Sequence, residues 1–216
     1  MLSAWLPLKC VLCDKPPRQL CDHCRAQLPL RKRSVSRAGA PPGFSCADYT
    51  ESVATLVKAF KNDGSVILAR QLGVWMAAAV GDWARQTRTD RQLEIALVPA
   101  PSRAANNRSR GYSPARLLAS NLAVQLRALG VNARVCDLMR VSGPVRDQAD
   151  LNRSERKLNL VGRMSIEGSA HSRLANRKVV LVDDIITTGS TVAEMARCLE
   201  SEGIVPEIFV TFAETL

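Results

Sequence analysis

The segment with the most specific chemistry is an apolar run that ends in two acids and continues into a small, hydroxyl-rich stretch. The apolar run predicts a buried strand over Lys178–Val182, and Asp183 and Asp184 follow it directly. The next residues, Thr187–Thr191, read TTGST and lead into a predicted helix over Thr191–Glu202. In open α/β sheets ligands bind where strands end, so both carboxylates are candidate binding groups.

The stretch after the acids suits the phosphate of a sugar phosphate. Backbone N–H groups of Thr187–Thr191 and the positive end of the following helix are donors for a phosphate. The hydroxyls of Thr188, Ser190 and Thr191 add donors, and Gly189 lets the chain approach the phosphate closely. A Walker motif and a GxGxxG motif are both absent from the sequence.

The two acids need a task of their own, because carboxylates do not hold a phosphate. Asp183 and Asp184 suit vicinal ribose hydroxyls, which donate hydrogen bonds to them. Binding of Mg²⁺, directly or through water, is a second use for the pair. The plainer alternative is a strand–helix junction that Ser190 caps, with two solvated acids before it.

Four of the seven cysteines form a cluster with the spacing C-x2-C-x7-C-x2-C, at Cys10, Cys13, Cys21 and Cys24. Two such pairs place four thiolates for tetrahedral Zn²⁺, so the spacing predicts a structural zinc site that holds the N-terminal ~30 residues together. An iron–sulfur cluster and a redox pair are the alternatives. The isolated cysteines are predicted to be small buried residues; they are Cys46, Cys136 and Cys198.

The chain is basic, with 30 Lys and Arg against 20 Asp and Glu, and its charge is unevenly spread. Residues 1–46 carry a net +6, residues 91–163 a net +8 and residues 164–216 a net −4. This excess favours polyanionic partners, although an arginine-rich soluble surface would produce it too. A basic arm that could contact nucleic-acid phosphates consists of Arg18, Arg25, Arg31, Lys32, Arg33 and Arg37. Aromatic residues make up only 4% of the chain, so binding of single-stranded DNA would depend on charge and on salt.

Alternating apolar patterns predict an α/β fold, with a parallel sheet and helices on both faces. The predicted helices are Ser52–Lys61, Val66–Gln86 and Pro114–Leu129, and the predicted further strands are Ser45–Tyr49, Leu93–Val98, Ala133–Cys136 and Glu207–Phe212. Residues 31–44 are predicted to be a linker or extended arm, and residues 142–163 a polar loop with a helix at Ser154–Leu160. The longest apolar run, Val74–Val80, is too short to span a membrane, so no membrane insertion and a cytoplasmic location are expected.

The segment Val179–Thr191 resembles the loop of type I phosphoribosyltransferases that binds 5-phosphoribosyl 1-diphosphate (PRPP). Over nearly its full length the chain resembles the ComF family, which includes competence protein F and GntX-like proteins. The ordered motifs that carry this resemblance are the cysteine cluster, Leu56–Lys61, Val98–Pro101, Arg108–Tyr112, Asp147–Asn159 and the PRPP loop.

The resemblance implies a division into a four-cysteine zinc module with its basic arm, residues 1–40, and a phosphoribosyltransferase-like domain, residues 41–216. It implies that PRPP contacts Asp183, Asp184, Ile185, Ile186, Thr187, Thr188, Gly189, Ser190 and Thr191, together with a pyrophosphate loop that contains Ala100, Pro101, Ser102 and Arg103. Residues 142–163 would close over the site as a mobile loop, and residues 47–65 would form part of the hood that selects the acceptor. The implied catalytic residues are Asp183, Asp184, Arg153 and Arg156.

The function that the resemblance implies is Mg²⁺-dependent transfer of ribose 5-phosphate from PRPP to an unidentified acceptor, linked to DNA uptake. Purine salvage is disfavoured, because Thr187 stands where purine-salvage enzymes carry an acid. The alternative is a non-catalytic nucleic-acid-binding protein that keeps the PRPP site as a sensor or vestige. Single-stranded DNA and a helicase-like competence protein are the partners that the family suggests.

Overall fold

The fold is defined by a computed structural model that describes residues 9–16, 18–63, 65–87, 94–102, 111–141 and 162–215. The helices in these residues are α1 (Asp22–Ala26), α2 (Glu51–Asp63), α3 (Val66–Thr87), α4 (Pro114–Ala128), α5 (Ala170–Leu174) and α6 (Ser190–Glu200). The strands are β1 (Leu30–Val35), β2 (Gly43–Asp48), β3 (Glu94–Pro99), β4 (Asn132–Val135), β5 (Met139–Val141), β6 (Met164–Ile166), β7 (Arg177–Ile186) and β8 (Ile208–Glu214).

Six of these strands form one sheet in the order β1-β2-β8-β7-β3-β4. Every neighbouring pair is parallel except β1 with β2, which is antiparallel at one edge. Strands β5 and β6 form a separate antiparallel pair. Because β7 and β3 are central and parallel, their carboxyl ends meet at the same edge of the sheet, where ligands bind in α/β folds.

Two hydrophobic clusters cover the two faces of this sheet, because alternate residues of the central strands point to opposite sides. On one side Val180 and Val182 of β7 pack with α2, α3, α4 and the N-terminal segment. On the other side Val179 and Leu181 pack with α5 and α6. The predicted parallel sheet with helices on both faces is therefore confirmed.

Most predicted elements are present, with bounds that differ by a few residues. The linker predicted for residues 31–44 is wrong at its start, because Leu30–Val35 forms the edge strand β1 and pairs with β2. The strand was missed because an edge strand pairs on one side only, so charged residues are tolerated in it and the apolar pattern is weak. The helix predicted at Ser154–Leu160 lies outside the described residues. The division of the chain at residue 40 stays a prediction.

Helices α3 and α4 pack closely where two glycines of α3 face α4. A Cβ placed on Gly73 would lie 3.1 Å from the backbone carbonyl carbon of Asn121, whereas one on Gly81 would lie 3.4 Å from the nearest atom, Cδ1 of Leu129. Among the described helices none is both long and apolar enough to cross a membrane.

Replacement of each of these glycines by alanine should change stability in opposite directions. Gly81→Ala removes backbone freedom without a clash and should raise the free energy of unfolding by about 0.5–1 kcal/mol. Gly73→Ala places a methyl group against the backbone of α4 and should lower it by about 1 kcal/mol. Urea unfolding of both variants measures these changes, and equal effects would contradict the close contact at Gly73.

Candidate functional site

Strand β7 extends beyond its predicted end and carries both acids within it. The prediction ended the strand at Val182, but the strand continues to Ile186, with Asp183 paired to Thr211 of β8. Pairing with the neighbouring strand β8 continues up to Ile186, which aligns with Glu214 at the end of β8. Both acids therefore lie inside the paired strand, close to its carboxyl end.

Asp184 is held by a lysine that is far from it in the sequence. Lys61 Nζ lies 2.9 Å from Asp184 Oδ2, and the two side chains are 32% and 10% exposed. Lys61 belongs to the last turn of α2. The hydroxyl of Tyr112 holds that turn, because it donates to the carbonyls of Phe60, at 2.9 Å, and of Lys61.

Sequence reasoning noted Lys61 as part of a motif but assigned it no role. The motif showed that α2 has an apolar face, and Lys61 interrupts the pattern at its end. No spacing rule connects a helix near the N-terminus with an acid near the C-terminus. Only the packing of α2 over the carboxyl end of β7 brings Lys61 to Asp184.

The three charged groups shift one another's protonation. Burial and the charge of Asp184 raise the pKa of Asp183 to about 7, and the charge of Lys61 opposes this rise. Burial lowers the pKa of Lys61, but the charges of Asp184 and Asp183 outweigh it and raise that pKa above its ordinary value. One ammonium thus balances two crowded carboxylates, which leaves oxygens on Asp183 and Asp184 to accept hydrogen bonds from a ligand's hydroxyls.

The turn between β7 and α6, Thr187–Gly189, is the segment that the sequence predicts to bind a phosphate, and it is called the phosphate loop. Gly189 has φ +80° and stands at the N-cap of α6, where it supplies no side-chain cap. Thr188 Oγ1 accepts a hydrogen bond from the Ser190 N–H at 3.3 Å and lies 2.7 Å from the Ser190 hydroxyl. The hydroxyls of Thr188 and Ser190 therefore lie together at the start of a helix of 11 residues, whose positive end attracts anions.

The segment after β3 lies beside the end of β7, as the predicted pyrophosphate loop requires. The Ala100 N–H donates to the carbonyl of Val182 at 2.8 Å, one residue before Asp183. Ser102 Oγ lies 3.0 Å from Ser113 Oγ at the N-cap of α4. Ala100 is thus close to the acids and Pro101 and Ser102 follow it, whereas Arg103, Arg153 and Arg156 lie outside the described residues.

Gly189 lies in close contact with the side chain of Arg37. A Cβ placed on Gly189 would lie 2.6 Å from Cβ and 2.8 Å from Cγ of Arg37. The sequence predicts that this glycine lets the loop approach a phosphate closely, whereas the structure shows the Arg37 side chain in contact with it. A larger residue here would disturb the packing of Arg37 as well as the backbone, since φ +80° is unfavourable for other residues.

The four sulfur atoms of the cysteine cluster are close enough together to bind one metal ion. The Sγ atoms of Cys10, Cys13, Cys21 and Cys24 all lie within 4.8 Å of one another. Sγ of Cys13 and Sγ of Cys21 are 3.7 Å apart. Two thiolates bound at about 2.3 Å to one tetrahedral zinc would be separated by about 3.8 Å, so the cluster fits Zn²⁺.

The thiols of this cluster differ in their readiness to ionise. Burial raises the pKa of Cys10, but backbone N–H groups of Cys21, Leu12 and Cys13 outweigh it and lower that pKa to about 6. Burial and the neighbouring thiols raise the pKa of Cys24. Four thiolates in one place repel each other, so a bound cation is needed to ionise all of them.

The isolated cysteines are buried, as predicted. Cys46, Cys136 and Cys198 are 4%, 0% and 5% exposed. Burial raises the pKa of Cys46 to about 12 and that of Cys198 above its ordinary value. A buried protonated thiol is a poor nucleophile, so Cys46 and Cys198 are small core residues.

The residues of the basic arm all pair with carboxylates of the same chain, which the sequence analysis did not anticipate. The partner of Arg31 and Arg33 is Asp48, and the partner of Arg37 is Glu214. The other pairs are Arg18–Asp22, Arg25–Asp22 and Lys32–Asp82, and all six distances lie between 2.6 and 3.3 Å. Much of the arm's charge is therefore balanced within the protein, and β1 is attached to the rest of the sheet.

Comparison with known proteins agrees with the geometry of this site. Residues 75–213, more than half of the chain, match the sequence model of the phosphoribosyl transferase domain, and the chain belongs to this family. The chain is also 28% identical to Competence protein F of Haemophilus influenzae over 186 residues, which cover 86% of this chain and 74% of that protein. It is accordingly a phosphoribosyltransferase-like protein of the ComF type, which confirms the resemblance.

Asp183→Asn should stabilise the protein at neutral and alkaline pH. A carboxyl whose pKa is raised by folding binds more protons in the native state, so its contribution to stability falls as pH rises from about 4 to about 7. The difference in free energy of unfolding between the variant and the wild type should therefore grow between about pH 5 and pH 8. Urea unfolding at both pH values measures it.

Asp48→Asn is the matched control with the opposite sign. The hydrogen bond from Arg33 lowers the pKa of Asp48, so this carboxylate stabilises the fold at neutral pH and its loss should destabilise. A constant difference in the free energy of unfolding between Asp183→Asn and the wild type across the pH range would contradict the raised pKa assigned to Asp183.

Cys13→Ser should abolish stoichiometric metal binding, because three thiolates hold zinc much more weakly than four. Mass spectrometry of the metal content should find about one zinc per wild-type chain. Cys46→Ala is the control, since that thiol lies in β2 and should leave the zinc content unchanged. Equal zinc contents in Cys13→Ser and wild type would exclude the cluster as the ligand set.

Proposed function

We propose that this chain binds PRPP at the carboxyl end of β7 and transfers its ribose 5-phosphate to an acceptor. The observation that carries the proposal is the juxtaposition of three features at one edge of the sheet. They are the acid pair Asp183 and Asp184, the phosphate loop before α6, and the segment Ala100–Ser102 after β3. Membership of the phosphoribosyl transferase domain family supports it.

The proposed binding mode gives each part of PRPP its own partner. The 5-phosphate meets the amides and hydroxyls of Thr188, Ser190 and Thr191 at the start of α6. The ribose 2- and 3-hydroxyls donate to Asp183 and Asp184, and Lys61 holds one oxygen of Asp184. The diphosphate lies towards Ala100–Ser102, which Arg103 follows in the sequence.

The proposed reaction is a displacement at C1 of the ribose. The acceptor's nucleophilic atom forms a bond to C1 while the bond between C1 and the diphosphate oxygen breaks, with inversion. The electron pair of that bond leaves with pyrophosphate, and the acceptor loses its proton. The protein contributes position and charge, since Arg153 and Arg156 are proposed to stabilise the departing pyrophosphate and closure of their loop to exclude water.

In this proposal Mg²⁺ binds to the diphosphate of PRPP. The donor set at the acids fits hydroxyl groups better than a cation held by protein alone, because Lys61 already occupies an oxygen of Asp184. Mg²⁺ commonly binds through substrate phosphates with few protein ligands, and its chemical contribution when bound is neutralisation of the diphosphate charge.

The acceptor is proposed to be other than a purine. Thr187 follows Ile186 at the position where the purine-salvage enzymes of this superfamily carry an acid. Its carbonyl is occupied by Arg37, at 3.0 Å. The name of the relative, Competence protein F, supports a link to DNA uptake.

A second proposal is a nucleic-acid-binding protein that keeps the PRPP site without catalysis. The consecutive cations Arg31, Lys32 and Arg33 on the exposed edge strand β1 support it, together with the net charge of +10. Their pairing with Asp48 and Asp82 means that DNA phosphates would have to replace carboxylates. Such an exchange would be steeply salt-dependent.

Asp183→Asn combined with Asp184→Asn should weaken PRPP binding at least about tenfold, because the amides donate where the diol also donates. Isothermal titration calorimetry with PRPP and Mg²⁺ measures the loss. Glu202→Gln, an exposed residue in the turn after α6, is the control and should bind PRPP normally. Equal affinity of the double variant and the wild type would contradict the assignment of the acids.

Release of pyrophosphate distinguishes the two proposals. Wild-type protein with PRPP, Mg²⁺ and either nucleobases or single-stranded DNA should release pyrophosphate only when the right acceptor is present, and the double variant should not. PRPP binding without acceptor-dependent release would favour the non-catalytic proposal.

A further inference from the structure

Arg37 contacts the phosphate loop, although the two are about 150 residues apart in the sequence. It follows β1, in the connection to β2, and its side chain is 20% exposed. Its Nε donates to the Thr187 carbonyl at 3.0 Å, and one Nη donates to Glu214 at 2.7 Å and to the Thr215 carbonyl at 3.4 Å. One guanidinium therefore joins the phosphate loop to the end of β8.

The connection that carries Arg37 is itself seated against α6. The Ala40 N–H donates to the Arg37 carbonyl at 3.1 Å, which closes a turn. A Cβ placed on Gly39 in this turn would lie 3.5 Å from Cβ of Ala193, in the first turn of α6. The aliphatic part of Arg37 packs directly under Gly189. The loop and the start of α6 thus rest on one short segment.

The bond from Arg37 to Thr187 determines which way the next amide points. In a trans peptide the carbonyl and the following N–H point to opposite sides. With the Thr187 carbonyl held on Arg37, the Thr188 N–H is directed away from Arg37. That is the orientation in which a series of loop amides faces an anion, because carbonyl oxygens facing it would repel it.

The charge of Arg37 is compensated locally, so its effect on the loop is geometric. Glu214 is buried and lies 2.7 Å from the guanidinium. A planar guanidinium has donors in fixed directions and can serve Thr187 and Glu214 together, which a lysine cannot do. In lysine a methylene occupies the place of Nε, so the bond to Thr187 is lost while the charge is kept.

We propose that Arg37 is a positioning residue that holds the phosphate loop in its anion-binding conformation by fixing the Thr187 carbonyl. This inference rests on the proposed function, since it concerns the loop assigned to the 5-phosphate. It gives the N-terminal segment a role in the sugar-phosphate site. It also explains why the loop needs glycine at position 189, where any side chain would collide with Arg37.

The test is Arg37→Lys, which keeps the charge next to Glu214 and removes the bond to Thr187. Its affinity for ribose 5-phosphate, measured by isothermal titration calorimetry, should fall about tenfold. Amide hydrogen exchange of Thr188–Thr191 should accelerate, while that of Val180 and Leu181 in β7 should not change. Arg33→Lys is the matched control, because Arg33 lies in β1 and pairs with Asp48 of β2 instead of with Thr187 or Glu214; it should alter neither measurement.

The double variant Arg37→Met with Glu214→Met is a second test, for the case in which the new lysine of Arg37→Lys pairs poorly with Glu214. It removes both buried charges together and should lose at least as much affinity. Affinity within twofold of wild type and unchanged loop exchange in both variants would overturn the inference. If wild-type protein binds neither ribose 5-phosphate nor PRPP, the proposed function fails, and the exchange rates alone decide whether Arg37 holds the loop.

Discussion

Two neighbouring carboxylates at the buried end of a central strand are the constraint on which the rest of this structure depends. Asp183 and Asp184 repel each other and lose solvation, which raises the pKa of Asp183. Lys61 balances them at 2.9 Å from Asp184, and Tyr112 holds the helix end that carries it. The crowding is unfavourable for folding, and this cost is a reason to propose a binding role for the two acids.

The N-terminal segment also contacts the loop that follows β7. The cysteine cluster is followed directly by β1, which forms the edge of the sheet, and then by Arg37 beneath the phosphate loop. Cations that look in sequence like an arm for polyanions pair with Asp48, Asp82 and Glu214. The cations of this segment therefore form ion pairs that attach it to the rest of the protein.

The fold was largely predictable, and the candidate site was predictable in part. Apolar periodicity located α2, α3, α4, α6 and the central strands, because each buries a continuous face against the sheet. It missed β1, where Leu30–Val35 reads LRKRSV and only one side of the strand is paired. It also ended β7 at Val182, because two charged residues normally terminate a buried run, whereas here a cation comes to meet them.

The sequence by itself determined the chemistry that is local along the chain: the four-cysteine spacing, the acid pair, and the hydroxyl-rich turn before a helix. Each depends on neighbouring residues, and local geometry is encoded locally. Only the tertiary structure decided that Lys61 meets Asp184, that Ala100 is bonded to Val182, and that Arg37 lies under Gly189. These contacts join segments far apart in the chain, and their partners are selected by how helices and strands pack, which no spacing rule records.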